Sequence, residues 1–285
     1  MKLENIRWLK MKDSQAAAAE SFLRMAEDYY VSACSRFIER DTANNKVWVL
    51  GGKNSAPCAL LIHSKGSLLP VFYGKTEIPA PGFLYGFFNT IRIYSVQGLK
   101  KEAIALEKEL EKTGKKAFQS IDFDLMAINN APNMECYSAG PPNLVFRKPE
   151  FTDLDALAVL QAAYEREEVL PSGTEFSPAA SRKNIETIVG KSKILVAQLN
   201  GRIVGKINVN AVSFTKVQVG GIYVHPDFRG RGIASRMIAQ FIGPILAGGN
   251  GVNLFVKKSN TAARRLYERA GFSVKGDYRV SYYYS

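Results

Sequence analysis

Among the 285 residues, the run Arg229-Gly230-Arg231-Gly232-Ile233-Ala234 has the residue types and spacing best suited to chemistry. It follows a strand-like segment, Val219 to His225-Pro226. It opens a segment in which Ile233, Met237, Ile238, Phe241 and Ile242 recur on one helical face. Glycines at a strand-to-helix junction let backbone N–H groups converge on an anion, and the positive end of the helix dipole points the same way. The chemistry in outline is a pyrophosphate cradle. Walker and Rossmann patterns do not fit, because no Gly-Lys-Ser/Thr follows and no G-x-G-x-x-G is present. Such a junction taken alone also serves as a purely structural turn.

Metal and disulfide chemistry find little support. Cys34, Cys58 and Cys136 are an odd number, far apart, without a C-x-x-C pair, and the two histidines, His63 and His225, lie in different halves. No metal site is expected, and Cys34, Cys58, Cys136 and His63 read as buried or incidental.

The elements that position the cradle can be read from periodicity. Asp153 is a candidate cap for a helix carrying Leu154, Leu157, Ala158, Leu160 and Tyr164, and Ser177-Pro178 opens a second helix through Ile185 and Ile188. Ile194–Ala197, Ile203–Val209 and Gln218–Val224 read as strands, the first two joined at Asn200-Gly201 by a type I′ turn. Upstream, Asp13 or Ser14 caps one long amphipathic helix from Phe22 to Ile38. Strands follow at 47–50, 59–62, 68–73 and 91–96, then a charged helix over 99–112 and a strand around 118–126. Small residues and two prolines in Tyr137-Ser-Ala-Gly-Pro-Pro-Asn143 mark a boundary. The chain is therefore cut into residues 1–143 and 144–285, two domains of ordinary size.

With 46% hydrophobic and 22% charged residues, the composition is that of a globular protein rather than a disordered one. The most apolar window, 233–247, is broken by Ser235, Arg236, Gln240, Gly243 and Pro244, so no membrane span is expected. The charged N-terminus lacks a signal-peptide core, and a cytoplasmic location is expected. The net charge of +12 lies mostly in residues 144–285, with 20 Lys+Arg against 11 Asp+Glu, whereas residues 1–143 have 18 against 15. A nucleic-acid partner is an alternative reading of that excess, disfavoured because the charges are dispersed and no recognition motif appears.

The segment 229–234 resembles the R/Q-x-x-G-x-G/A signature of the GNAT acetyltransferase superfamily, set after a strand ending Ile-Tyr-Val-His-Pro as in that family. Val252–Val256 looks like the family's fifth strand, and Asn260-Thr-Ala-Ala-Arg-Arg-Leu-Tyr-Glu-Arg-Ala-Gly-Phe272 resembles its N-x-x-A-x-x-L-Y-x-x-x-G-F element. The resemblance covers residues 144–285. It implies an α+β (α/β) fold, a mixed and mostly antiparallel sheet flanked by helices. The implied activity is acetyl-CoA-dependent N-acetyltransfer to a primary amine of unidentified identity.

By the same resemblance, N–H groups of Arg229, Gly230, Arg231, Gly232, Ile233 and Ala234 would hold the pyrophosphate of acetyl-CoA. Ile222, Tyr223 and Val224 would pair with the pantetheine arm. Asn260, with Ala263 and Arg264, would line the cofactor wall, and Tyr267 would protonate the departing thiolate. Its bland alternative is a core aromatic beside Leu266 and Phe272. The N–H of Tyr223 or Val224 would stabilise the oxyanion. The general base is open: Gln218 stands where a carboxylate would be useful, Glu165, Glu167 and Glu168 read more readily as a solvated helix face, and His225 reads as part of the approach to the loop. A catalytically silent, acetyl-CoA-binding module is the alternative function.

Residues 1–143 show a similar element order without the signature, the cradle's place falling at Ser95-Val-Gln-Gly98. They resemble the N-terminal copy of tandem GNAT proteins, degenerate in its cofactor site. The oligomeric state stays open in the sequence; a tandem chain can satisfy its own interface, which is compatible with a monomer.

Overall fold

The computed structural model describes residues 7–39, 45–51, 56–73, 77–78, 81–130, 140–191 and 193–284. Cys136, the boundary residues 137–139 and the charged N-terminus 1–6 lie outside the described residues.

The chain runs twice through one order of ten elements. The first pass is β1 (Arg7–Lys10), α1 (Ala16–Arg24), α2 (Glu27–Ile38), β2 (Asn45–Gly51), β3 (Ala59–Ser64), β4 (Ser67–Val71), α3 (Gly82–Thr90), β5 (Ser95–Leu99), α4 (Lys100–Glu111) and β6 (Gln119–Ile128). The second is β7 (Leu144–Arg147), α5 (Leu154–Tyr164), α6 (Pro178–Gly190), β8 (Ile194–Leu199), β9 (Arg202–Val212), β10 (Lys216–Val224), α7 (Ile233–Ala247), β11 (Gly251–Lys257), α8 (Thr261–Arg269) and β12 (Ser273–Tyr282). The helices of the first pass that precede β2 form two segments rather than the single one expected. Ala26, at φ −132° and ψ 28°, breaks the hydrogen-bond ladder between them.

Two compact units result, and they interleave where a single cut near residue 143 was expected. One comprises Met1–Leu125, Val212–Phe214 and Lys275–Ser285; the other comprises Met126–Ala211 and Thr215–Val274. In the first unit the strand order is β1-β2-β3-β4-β5-β12-β6, with β1/β2, β2/β3, β3/β4 and β5/β12 antiparallel and β4/β5 parallel. Alternation along β3 sends Leu60 and Ile62 to the α1/α2 side and Ala59 and Leu61 to the α3/α4 side, so helices cover both faces.

The second unit carries the end of β6, then β11-β10-β9-β8-β7, with β10/β11 parallel and β7/β8 and β8/β9 antiparallel. Met237, Ile238, Ile242, Leu254 and Phe272 pack on its α7/α8 side, and Leu157, Leu160, Ile185 and Val196 on its α5/α6 side. Burying each such side chain contributes about 1.5–3 kcal/mol. Local signals work as expected at two places. Asn200 and Gly201, at φ 49° and 82°, make the turn between β8 and β9, and the Ser177 hydroxyl accepts from Ala180 N–H ahead of Pro178. Asp153 does not cap α5; its carboxylate accepts from Glu150 N–H and from both ends of the Arg147 guanidinium. Among the described residues no helix is long and apolar enough to cross a membrane.

Candidate active site

Strands β10 and β11 are paired only where Lys216–Gln218 face Gly251–Asn253, at their N-terminal ends. Beyond Gln218 the strand continues to Val224 with no β11 partner in register. The directions of its free groups follow from strand alternation. His225 N–H donates to Val204 O of β9 at 2.8 Å, so the N–H of Tyr223 also faces β9, whereas the N–H groups of Ile222 and Val224 face away from it, toward β11. The oxyanion donor expected at Tyr223 or Val224 therefore narrows. Tyr223 turns its N–H the wrong way, and Ile222 joins Val224 as a donor to the unpaired side.

A glycine pair sets this arrangement. Val217 and Val219 pack on the α7/α8 side, as do Ile222 and Val224, so the alternation changes parity across Gly220-Gly221. Gly221 has φ 59°, and a Cβ there would collide with Asn208 Oδ1 and come within 2.9 Å of Lys206 Nζ. Only glycine fits. The parity change turns the Tyr223 side chain to the α5/α6 side, where its ring meets Tyr164 edge-on.

Past Pro226 a short 3₁₀ turn leads into the arginine–glycine loop. His225 belongs to that turn: its Nδ1 accepts from Asp227 N–H at 3.4 Å, which suits the expected role in the approach to the loop. Gly230 and Gly232 have φ 73° and 74°, and Gly232 is the left-handed residue that opens α7. No side chain caps α7, so its first N–H groups, from Ile233 and Ala234 onward, have no acceptor within the helix. The glycine conformations and uncapped N–H groups fit an anionic ligand such as pyrophosphate.

The three glutamates are only in part a solvated helix face: Glu167 is exposed, while Glu165 and Glu168 are half-buried. They lie in a π-helical turn, Glu165–Val169, that continues α5, and each accepts hydrogen bonds from the protein. Glu165 Oε1 accepts from Gln161 at 2.7 Å and Asn184 at 2.9 Å. Glu167 accepts from the Tyr223 hydroxyl at 2.5 Å and the Arg229 guanidinium at 2.8 Å. Glu168 accepts from Asn260 Nδ2 at 3.0 Å, and Lys257 Nζ donates to Glu167 O at 3.0 Å. Partial burial raises the Glu167 carboxyl, but the Tyr223 and Arg229 contacts outweigh it and the net shift is downward. Burial, then the Glu167 contact, pushes the Tyr223 phenol up to about 12.

The other expected residues occupy the same neighbourhood. Arg229 also donates from Nε to Val224 O at 3.0 Å. Asn260 uses its Oδ1 to cap α8 at Ala263 N–H, while Arg264 pairs with Glu268 on the exposed side of α8. Tyr267 is buried, edge-on to Phe272 at 6.0 Å, and burial shifts its phenol upward, which keeps it protonated at neutral pH. Core packing and a proton-bearing phenol therefore coexist in this residue. Gln218 is buried on β10. No group of metal-binding side chains occurs among the described residues.

The periodicity gave no sign of Lys206. It is wholly buried on β9, with Nζ donating to Gly221 O at 3.0 Å and lying 4.6 Å from the Tyr164 ring centroid. Burial lowers its pKa to about 7, against a smaller opposing pull from Glu165.

Residues 157–272 match the model of the acetyltransferase (GNAT) family. They carry a GNAT-family domain. The chain is 37% identical over 76 residues to an acetyltransferase of Pectobacterium atrosepticum, covering 26% of this chain and 53% of that one. It is 32% identical over 82 residues to an acetyltransferase of Yersinia pestis, covering 28% and 57%. The chain thus spans little more than half the length of these curated relatives. Solved structures similar in fold extend over nearly all of it. A Drosophila protein has TM-score 0.67 at 12% identity, covering 97% of this chain and 98% of that one. A tandem GNAT protein from the clavulanic acid biosynthesis pathway has TM-score 0.62 at 10% identity, with 97% and 98% covered. The duplicated element order, with a parallel pair in each unit, is similar in fold to that tandem GNAT protein.

Proposed function

We propose that the protein is an acetyl-CoA-dependent N-acetyltransferase acting on a primary amine, with its active site in the GNAT domain. The observation that carries this reading is the unpaired edge of β10 leading directly into the uncapped, glycine-opened N-terminus of α7. The edge offers main-chain groups at Ile222 and Val224 to an extended amide-bearing arm, and the helix end offers N–H groups of residues 229–234 to a pyrophosphate. Asn260, Ala263 and Arg264 would stand along the arm. Acetyl-CoA supplies the activated acyl group when bound.

The residues present account for most of the chemistry. A neutral amine attacks the thioester carbonyl, the carbon–sulfur bond breaks, and negative charge that develops on oxygen meets the N–H groups of Ile222 and Val224. Tyr267, protonated and buried, would donate the proton taken by the departing sulfur. Gln218 accepts no proton, and Glu167 is held ionised by Tyr223 and Arg229, which makes it a weak base. Residues 1–143 would supply a supporting copy without a cofactor site.

Incubation of the protein with acetyl-CoA and a panel of amino acids, amino sugars, polyamines and N-terminal peptides, read as CoA released, tests this reading. Turnover of at least one amine is expected, reduced about 100-fold or more in Tyr267→Phe. Binding of acetyl-CoA without turnover of any amine would favour a silent cofactor-binding module, to which Gln218 in place of a carboxylate also points.

A further inference from the structure

Lys206 is a buried cation to which the reaction above gives no task. It has no carboxylate within ion-pairing distance among the described residues, and it donates to one particular carbonyl, that of Gly221. Gly221 C=O and Ile222 N–H belong to the same peptide unit. In a trans peptide the two point in opposite directions, so a donor that holds the carbonyl also aims the N–H. Gly221, at φ 59°, lies in a conformation that any other residue would strain, and its peptide is free to swivel unless something grips it. Lys206 is that grip. Asn208 stands beside it, its Oδ1 where a Gly221 Cβ would be.

We propose that Lys206 is a positioning residue for acetyl transfer: its side chain fixes the 221–222 peptide so that the Ile222 N–H faces the thioester carbonyl oxygen. This rests on the acetyl-transfer reading above. As the carbon–nitrogen bond forms and the carbon–sulfur bond breaks, one proton leaves the amine and one joins the sulfur; Lys206 exchanges neither. Its contribution is to orient the peptide and, as an ammonium, to polarise it, since a charged donor on the carbonyl strengthens the N–H of the same unit. Two further groups act on Lys206: the ring of Tyr164 and the Glu165 carboxylate, which favours the charged form. With its pKa near 7, the ammonium form predominates below neutrality and is lost above it.

The test is carbon-13 NMR of acetyl-CoA labelled at the acetyl carbonyl, bound to the full-length protein, because a hydrogen bond to that oxygen moves the carbon signal downfield without any acceptor amine. In the wild type a downfield displacement from free acetyl-CoA is expected, shrinking between about pH 6 and 8.5 as the ammonium deprotonates. Lys206→Met should lose the displacement while its affinity for acetyl-CoA changes by less than about threefold. Lys206→Arg, which keeps charge and donor, should retain the displacement without the pH dependence. An undiminished displacement in Lys206→Met, a pH-independent one in the wild type, or none in wild type that binds acetyl-CoA would each overturn this role alone. Failure of the wild type to bind acetyl-CoA would remove the acetyl-transfer reading itself. The wild-type pH series needs no variant to fold.

Discussion

The two units answer the same topological question differently at the place where their parallel strands diverge. In the GNAT domain β10 separates from β11 after Gln218, and the edge at Ile222–Val224 stays unpaired before a loop of glycines. In the other unit β4 and β5 are in register at Ser67–Leu68 with Ser95–Val96, and contact persists beyond them. Pro70 of β4 lies so close to Gly98 of β5 that a Cβ on Gly98 would stand 3.0 Å from the proline ring. Proline has no N–H to offer at that edge. The helix that follows, α3, begins after Pro81 instead of a glycine loop, and the residues before it include the buried Phe72 and Ile78. Both helices start without a side-chain cap, so the difference lies in the strand edge, open in one copy and filled by Pro70 in the other. A shared order of elements thus preserves a fold without preserving a site.

The sharpest way to break this comparison is to place a negative charge at the start of each equivalent helix. An acidic residue in a first helical turn suits the dipole, so both variants should fold. Ala234→Glu in α7 should weaken acetyl-CoA binding by about 100-fold or more, because like charges at a phosphate site cost several kcal/mol. Phe83→Glu in α3, at an exposed position, should leave binding unchanged. Equal effects, read by calorimetry, would mean that the first copy also takes part.

Smaller effects concern how each copy is built. Gly98→Val should destabilise the protein by about 1–3 kcal/mol in urea unfolding, since the added methyl groups must displace Pro70; an unchanged midpoint would show that the β4/β5 contact is loose. Loss of the α6 cap in Ser177→Ala should cost about 1 kcal/mol by the same measurement. Glu167→Gln should cost less than about 1 kcal/mol, because the Arg229 pair is part-exposed and screened. The Glu167 carboxyl is held below its ordinary 4.5. Its contribution is therefore present above that pH and is lost as pH falls through the lower folded value. A stability difference between wild type and Glu167→Gln that grows on acidification would contradict the assignment.

The strand–loop–helix junction at 219–242 is more legible in the sequence than the first pass of the chain. Glycines at 230 and 232 and the asparagine cap at 260 are demanded by backbone geometry, so their spacing survives in the sequence as a pattern. The helix α3 leaves no helical signature in the sequence, because Gly82, Gly86 and four aromatics carry weak helical propensity and prolines precede it. Missing α3 moved the expected cradle of the first copy to Ser95–Gly98, which is strand β5. Strand β12 was not read either, and residues 275–285 belong with the first unit, a non-local arrangement that no local pattern announces. Lys206 and Asn208 alternate with Ile207 and Val209, which looks like a solvated strand face. Their surroundings, Tyr164 of α5 for Lys206 and the Gly221 bulge for both, come from residues distant in sequence.

The most direct test of the central claim is calorimetric titration of acetyl-CoA into the intact protein and into an Arg229→Glu, Gly232→Glu variant. The account predicts micromolar binding at one site per chain, abolished in the variant while its thermal unfolding stays cooperative. Absence of binding to the folded wild type, or equal binding by both proteins, would contradict it.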